Sequence, residues 1–158
     1  MGTTTESVWD YPRPPALDPV SEDIEITFGG EVIARTNRAF RVLETSHPPT
    51  YYLPMGSFTE GSLVPCSGSS LCEWKGRAQY FDIVAPSGAI AQRAAWCYPD
   101  PTPTFAELRD HVALYPALMD RITVDGEEVV SQPGDFYGGW ITSKVTGPFK
   151  GGPGTFGW

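Results

Sequence analysis

Ile24-Glu25-Ile26-Thr27-Phe28-Gly29-Gly30-Glu31-Val32-Ile33-Ala34 decides the fold class. Apolar and polar residues alternate up to Phe28, two glycines follow, and the chain returns through Val32-Ile33-Ala34. A period of two is that of an extended strand with one buried face, and Gly-Gly supplies the positive φ angles of a tight hairpin turn. The stretch therefore reads as a β-hairpin. Ile122-Thr123-Val124-Asp125-Gly126-Glu127-Glu128-Val129-Val130 repeats the pattern, with Asp-Gly as the turn. A solenoid needs three or more copies at one period, so this is a local device used twice.

Working outward, Ala39–Glu44, Thr50–Leu53, Arg77–Val84 and Ala91–Trp96 read as strands, punctuated by His47-Pro48-Pro49 and Pro86-Ser87-Gly88. One helix start stands out: Thr104-Phe105-Ala106-Glu107 has the form of a capping box, and Pro103 can staple to Leu108. Pro116 and the β-favouring Val112-Ala113-Leu114-Tyr115 predict that this helix is short and gives way to another strand. The expected organisation is a single domain over 1–158, with an N-terminal arm (1–22), a β core (23–131) and a Gly/Pro/aromatic C-terminal arm (132–158). Both arms are too rich in proline or glycine for regular inner structure, and too aromatic to remain undocked.

A chain of 158 residues with 41% hydrophobic and 13% aromatic residues has enough apolar content to form one packed core. Its net charge of −8, with scattered basic residues, argues against a nucleic-acid partner, whose binding depends on clustered Lys and Arg. No apolar run is long enough to cross a bilayer, and the first residues lack the pattern of a signal peptide. Three cysteines, an odd number, fit a reducing compartment. The expectation is a cytoplasmic protein with no membrane partner.

Metal sites need paired ligands. Cys66 and Cys72 are six apart, Cys97 stands alone, and His47 and His111 are far apart in sequence, so neither metal nor cofactor is expected. Cys97, between Trp96 and Tyr98, reads as a packed core thiol. The glycine-rich ending lacks the Gly-Lys-Ser/Thr close of a phosphate loop, and the common hydrolase and dinucleotide signatures are absent.

What remains is Cys72-Glu73-Trp74-Lys75-Gly76-Arg77-Ala78-Gln79-Tyr80. As one regular strand it would put Cys72, Trp74, Gly76, Ala78 and Tyr80 on one face and Glu73, Lys75, Arg77 and Gln79 on the other. An amphipathic strand with a solvated charged side explains that pattern without any site. Gly76, however, can mark a bulge that re-aims Lys75 and Cys72 toward one cleft. A lysine desolvated by Trp74 and tyrosines can bind an anion or act as base or nucleophile. Glu44, ending an apolar run, is its candidate partner. Tyr51, Tyr52, Trp74, Arg77, Tyr80, Trp96 and Tyr98 are the candidate ligand-binding residues, although a core of aromatics is the commoner outcome. Strand alternation separates Cys72 from Lys75, so Cys72 reads rather as a packing residue.

Ser7-Val8-Trp9-Asp10-Tyr11-Pro12-Arg13-Pro14-Pro15, Glu44-Thr45-Ser46-His47-Pro48-Pro49, Cys72-Glu73-Trp74-Lys75-Gly76, Ala95-Trp96-Cys97-Tyr98-Pro99 and Gly147–Thr155 together resemble a bacterial family. It is the domain-of-unknown-function family 427, also labelled nucleotidyltransferase-like. The resemblance spans about Ile24 to Val130, and the arms are similar to those of longer members. It implies a small antiparallel β-tent, or Mss4-like, fold with one short helix and long irregular arms. No mechanism comes with it: the zinc-binding cysteine pairs of Mss4-like relatives are missing here. So is the Gly-Ser start with a paired Asp-x-Asp that a nucleotidyltransferase uses to hold magnesium.

Three functional expectations follow. The first is a small polar or anionic ligand bound without turnover around Lys75. The second is an enzyme in which Lys75 or Cys72 works with Glu44 and a tyrosine on a small metabolite. In the third, the chain is an assembly module, a homodimer formed through its arms.

Overall fold

The computed structural model describes residues 5–12, 15–72, 76–132 and 138–147, with the backbone alone described for 67–72 and 76. In chain order the strands are β1 (Glu6–Ser7), β2 (Ala16–Val20), β3 (Ile24–Phe28), β4 (Glu31–Thr36), β5 (Ala39–Leu43) and β6 (Thr50–Pro54). They continue with β7 (Leu63–Cys72), β8 (Gly76–Val84), β9 (Ile90–Cys97), β10 (His111–Leu114) and β11 (Arg121–Val124). The short strands β12 (Glu127–Glu128), β13 (Val130–Ser131), β14 (Trp140–Ile141) and β15 (Val145–Thr146) complete the set among the described residues. The fold is mainly β.

Both hairpins form where the sequence places them, and they share a sheet. Gly29 and Gly30 take φ of 63° and 81° at the β3–β4 turn, and β11 pairs with β3 to give the order β12-β11-β3-β4. A second sheet runs β2-β5-β6-β10-β9-β8-β7, antiparallel throughout. β2 is its edge, the position in a sheet that tolerates Pro19.

The two sheets pack face to face. Ile24, Ile26, Ile33 and Ile122 from the smaller sheet meet Tyr51, Leu53, Ile83, Val112 and Leu114 from the larger one in a single buried cluster. The opposite face of the larger sheet carries a second cluster, with Val42, Tyr52, Ala78, Trp96, Tyr98 and Ala113. Phe105 and Leu108 cover part of that outer face. They come from the expected short helix, which is present as 3-10 turns over Pro103–Leu108. It starts earlier than the Thr104 capping box implied: Pro103 occupies the first position, and Thr102 at the N-cap makes no side-chain capping hydrogen bond. The strand predicted after it is β10.

Cys72 and Tyr80 lie on two different strands, and the strand expected at Arg77–Val84 is β8. β7 ends at Cys72, β8 begins at Gly76, and these two residues pair across the antiparallel ladder. Glu73, Trp74 and Lys75 fall outside the described residues.

Among the described residues, Val8, Tyr11, Trp140 and Val145 of the terminal segments dock on the face of the larger sheet that meets the smaller one. β1 pairs in parallel with β15. Val8 and Tyr11 bury against Val145, with Leu43 and Ile141 beside them. Trp140 is fully buried and stacks on Tyr51, ring centroids 4.5 Å apart and planes 16° from parallel. No helix among the described residues is long and apolar enough to cross a membrane.

Candidate functional site

Strand alternation sorts the candidate residues before any side chain is considered. In β6, Tyr51 and Leu53 face the smaller sheet and Tyr52 faces outward. In β9, Trp96 points outward, while the flanking Ala95 and Cys97 point into the inter-sheet core. The cross-strand pairs Phe40↔Tyr52, Ala113↔Trp96 and Tyr80↔Trp96 then line up outward-facing residues across the sheet. The register Val112↔Leu53 brings Ala113 beside Tyr52.

On this outward face lies a pocket of about 280 Å³. Tyr52, Tyr80, Trp96, Tyr98 and Tyr115 supply aromatic walls; Glu44, His47 and Thr50 come from the end of β5, the following loop and the start of β6; Gln132 and Gly138 close it from the C-terminal side. Trp96 and Tyr115 are in tilted contact at 4.7 Å between centroids, and Tyr52 and Tyr98 at 6.2 Å. At Tyr80, the Arg93 guanidinium carbon lies 4.3 Å from the ring centroid. Burial, reinforced by Tyr80 and partly opposed by Arg93, raises the Tyr115 phenol above its usual range.

The loop bearing Glu44 and His47 is held on several sides. The Glu44 carbonyl accepts from the His47 N–H at 3.1 Å, and the His47 ring Nδ1 lies 2.9 Å from the Thr45 carbonyl. Ser46 adopts a left-handed φ of 69°. Its N–H donates to the Val8 carbonyl at 3.0 Å, and the Thr45 hydroxyl donates to the Tyr11 carbonyl. The N-terminal segment thus clamps the loop from behind. On the other side Gly139 N–H donates to Gln132 Oε1 at 3.2 Å, Gln132 N–H to the Gly139 carbonyl at 3.0 Å, and Trp140 N–H to the Pro49 carbonyl at 2.8 Å. Gly138 lies so close to Trp96 that a Cβ there would fall 2.5 Å from the ring's Cη2.

Of the residues picked from sequence, Glu44, Tyr52, Tyr80, Trp96 and Tyr98 meet in this pocket. Tyr51 does not: it lies on the opposite face, where burial pushes its phenol up to about 12 against the lowering effect of Arg41. Arg77 lines a separate recess of about 170 Å³ with Ala78, Gln79, Pro99 and Asp100. Lys75 and Trp74 lie outside the described residues, and only the backbone of Cys72 is described. Cys97 is buried, and that burial, with Asp110 adding to it, raises its thiol to about 11, far from a reactive thiolate.

His47, Thr50, Tyr115, Gln132 and Gly138 were not among the site residues picked from sequence. Tyr115 was legible in the alternation Ala113, Tyr115. Gln132 and Gly138 had no local signal, because their place depends on the return of the C-terminal segment. Among the described residues no group of three or more His, Cys, Asp or Glu side chains could hold a metal ion.

Comparison with known proteins agrees with the family resemblance. The model for a domain of unknown function, DUF427, matches residues 16–125, and the chain belongs to that family. No curated protein matches the chain.

Proposed function

We propose that this member of the DUF427 family is a small-molecule binding domain whose site is the aromatic pocket on the outer face of its larger sheet. One observation carries the reading: five aromatic side chains from four segments of the chain gather around one concavity, with Tyr80 and Tyr115 part-exposed. Protein interiors pack to crystal-like density, so aromatics serving only as core would fill this space. Ligand sites combine apolar walls with a few placed polar groups, and here Glu44, His47, Thr50 and Gln132 are those groups. The pocket favours a small polar ligand.

A second reading, turnover of such a ligand, draws on the presence of Glu44 and His47 in the same lining. A carboxylate and an imidazole on one pocket wall are a candidate acid–base set, with a tyrosine as third participant.

A thermal-shift screen of small metabolites on the full chain tests the proposal, since a compound that binds the folded state raises its midpoint. Tyr80→Ala, at the pocket rim, should lose most of the shift produced by each hit. Ile90→Ser, an exposed control 60% accessible to solvent, should keep it. Hits that stabilise wild type and Tyr80→Ala equally would overturn the proposal, as would a screen without hits. Lys75→Met in the same assay decides whether that lysine belongs to the site: an unchanged shift removes it. Chemical change of a hit by wild type but not by Glu44→Gln would establish the enzyme reading.

A further inference from the structure

The pocket's chemistry is narrower than that of a general polar-ligand site, and we infer that its ligand is an organic cation, a protonated amine or quaternary ammonium. The inference rests on the reading of this pocket as a binding site. Four tyrosines and Trp96 line it, and aromatic faces attract cations through the negative charge of their π clouds. Glu44 is the one formally charged side chain among the lining residues. Neither lysine nor arginine lines the pocket among the described residues, and the nearby Arg93 lies over the Tyr80 ring at the rim. An ammonium in the pocket would meet the part-exposed Tyr80 and Tyr115 rings and the Glu44 carboxylate.

The chain itself shows that a ring at this site accepts a cation. At the β8–β9 irregularity, where the register shifts between Phe81 and Ile83, Arg93 takes a φ of 49° and its N–H donates to Asp82 Oδ1 at 2.8 Å. This fixes the backbone so that the guanidinium lies over Tyr80 at the rim, within the roughly 6 Å over which cation–π attraction acts. Arg93 is exposed, so water and salt screen its repulsion of an incoming charge. The net charge of −8 adds long-range attraction for cations.

Titration of the full chain with choline, tetramethylammonium and 3,3-dimethylbutan-1-ol, the neutral carbon isostere of choline, followed by calorimetry, tests the assignment. 3,3-Dimethylbutanoate is the anionic arm. Choline and tetramethylammonium should bind about tenfold or more tighter than the neutral isostere. Glu44→Gln should weaken the cations about fivefold to tenfold and leave the neutral compound unchanged. Equal binding of choline and its isostere, or tighter binding of the anion, would overturn the cation assignment while leaving the pocket a binding site. Absence of binding by either cation at concentrations that leave the protein folded would also overturn it. The broader reading fails separately, when no compound of any charge gives a shift sensitive to Tyr80→Ala.

Discussion

At the scale of single residues, Gly138 allows the C-terminal segment to lie against the Trp96 ring, where a Cβ would fall 2.5 Å from Cη2. Gly138→Ala should therefore shift that segment and weaken any pocket ligand by at least about tenfold while the sheets stay folded. Undiminished binding by a folded Gly138→Ala protein would show that the ligand sits elsewhere. Tyr51 and Tyr52 carry the general lesson: neighbours in sequence, they lie on opposite faces of β6, and only Tyr52 is on the face that carries the pocket.

At the scale of elements, the N-terminal segment is tied down by charge and apolar contact together. Arg41, 3% exposed, donates from Nη1 and Nη2 to the two oxygens of Glu6 at 2.9 and 3.0 Å, and from Nε to Asp18 at 2.7 Å. Tyr11 OH donates to Glu6 at 2.7 Å. The bond to Arg41 holds the Glu6 carboxyl below its usual range, more than offsetting its partial desolvation, with Tyr11 helping. Because the folded-state value is depressed, the stability Glu6 contributes is present above the unfolded-state value near 4.5 and is lost as pH falls through the lower folded one. Acidification should therefore loosen this segment before the sheets unfold. The Ser46 amide, bonded to the Val8 carbonyl, is the reporter: its hydrogen-exchange protection should drop in acid in wild type, whereas Glu6→Gln should show reduced protection at neutral pH already. Protection unchanged down to global acid unfolding would refute this. Since Ser46 lies in the Glu44–His47 loop, the arm also steadies one pocket wall.

At the scale of the whole molecule, one sheet serves two purposes. Its inner face makes the core with the hairpin sheet, and its outer face, covered in part by Pro103–Leu108, carries the aromatic pocket. Leu53, fully buried between the sheets, contributes to stability, and Leu53→Ala should cost about 2–5 kcal/mol in denaturant unfolding. Loss of less than about 1 kcal/mol would mean that the sheets are not packed there.

The sequence alone determined the two hairpins, most of the long strands and the mainly β class, because alternation and turn chemistry are local. It also picked out Glu44, Tyr52, Tyr80, Trp96 and Tyr98, since large aromatics beside strand-end polar groups are visible in one dimension. Their convergence was decided by the tertiary structure. β6 meets β10 across a stretch of chain that carries no pairing code, and register shifts at Pro65/Ser69 and Phe81/Ile83 set which residues lie opposite one another. Local alternation puts Tyr51 and Tyr52 on opposite faces, but which face carries the pocket, and its closure by Gln132 and Gly138, follow from those long-range pairings. Local propensity is fixed by each residue and its neighbours; a pocket depends on which distant backbone hydrogen bonds form.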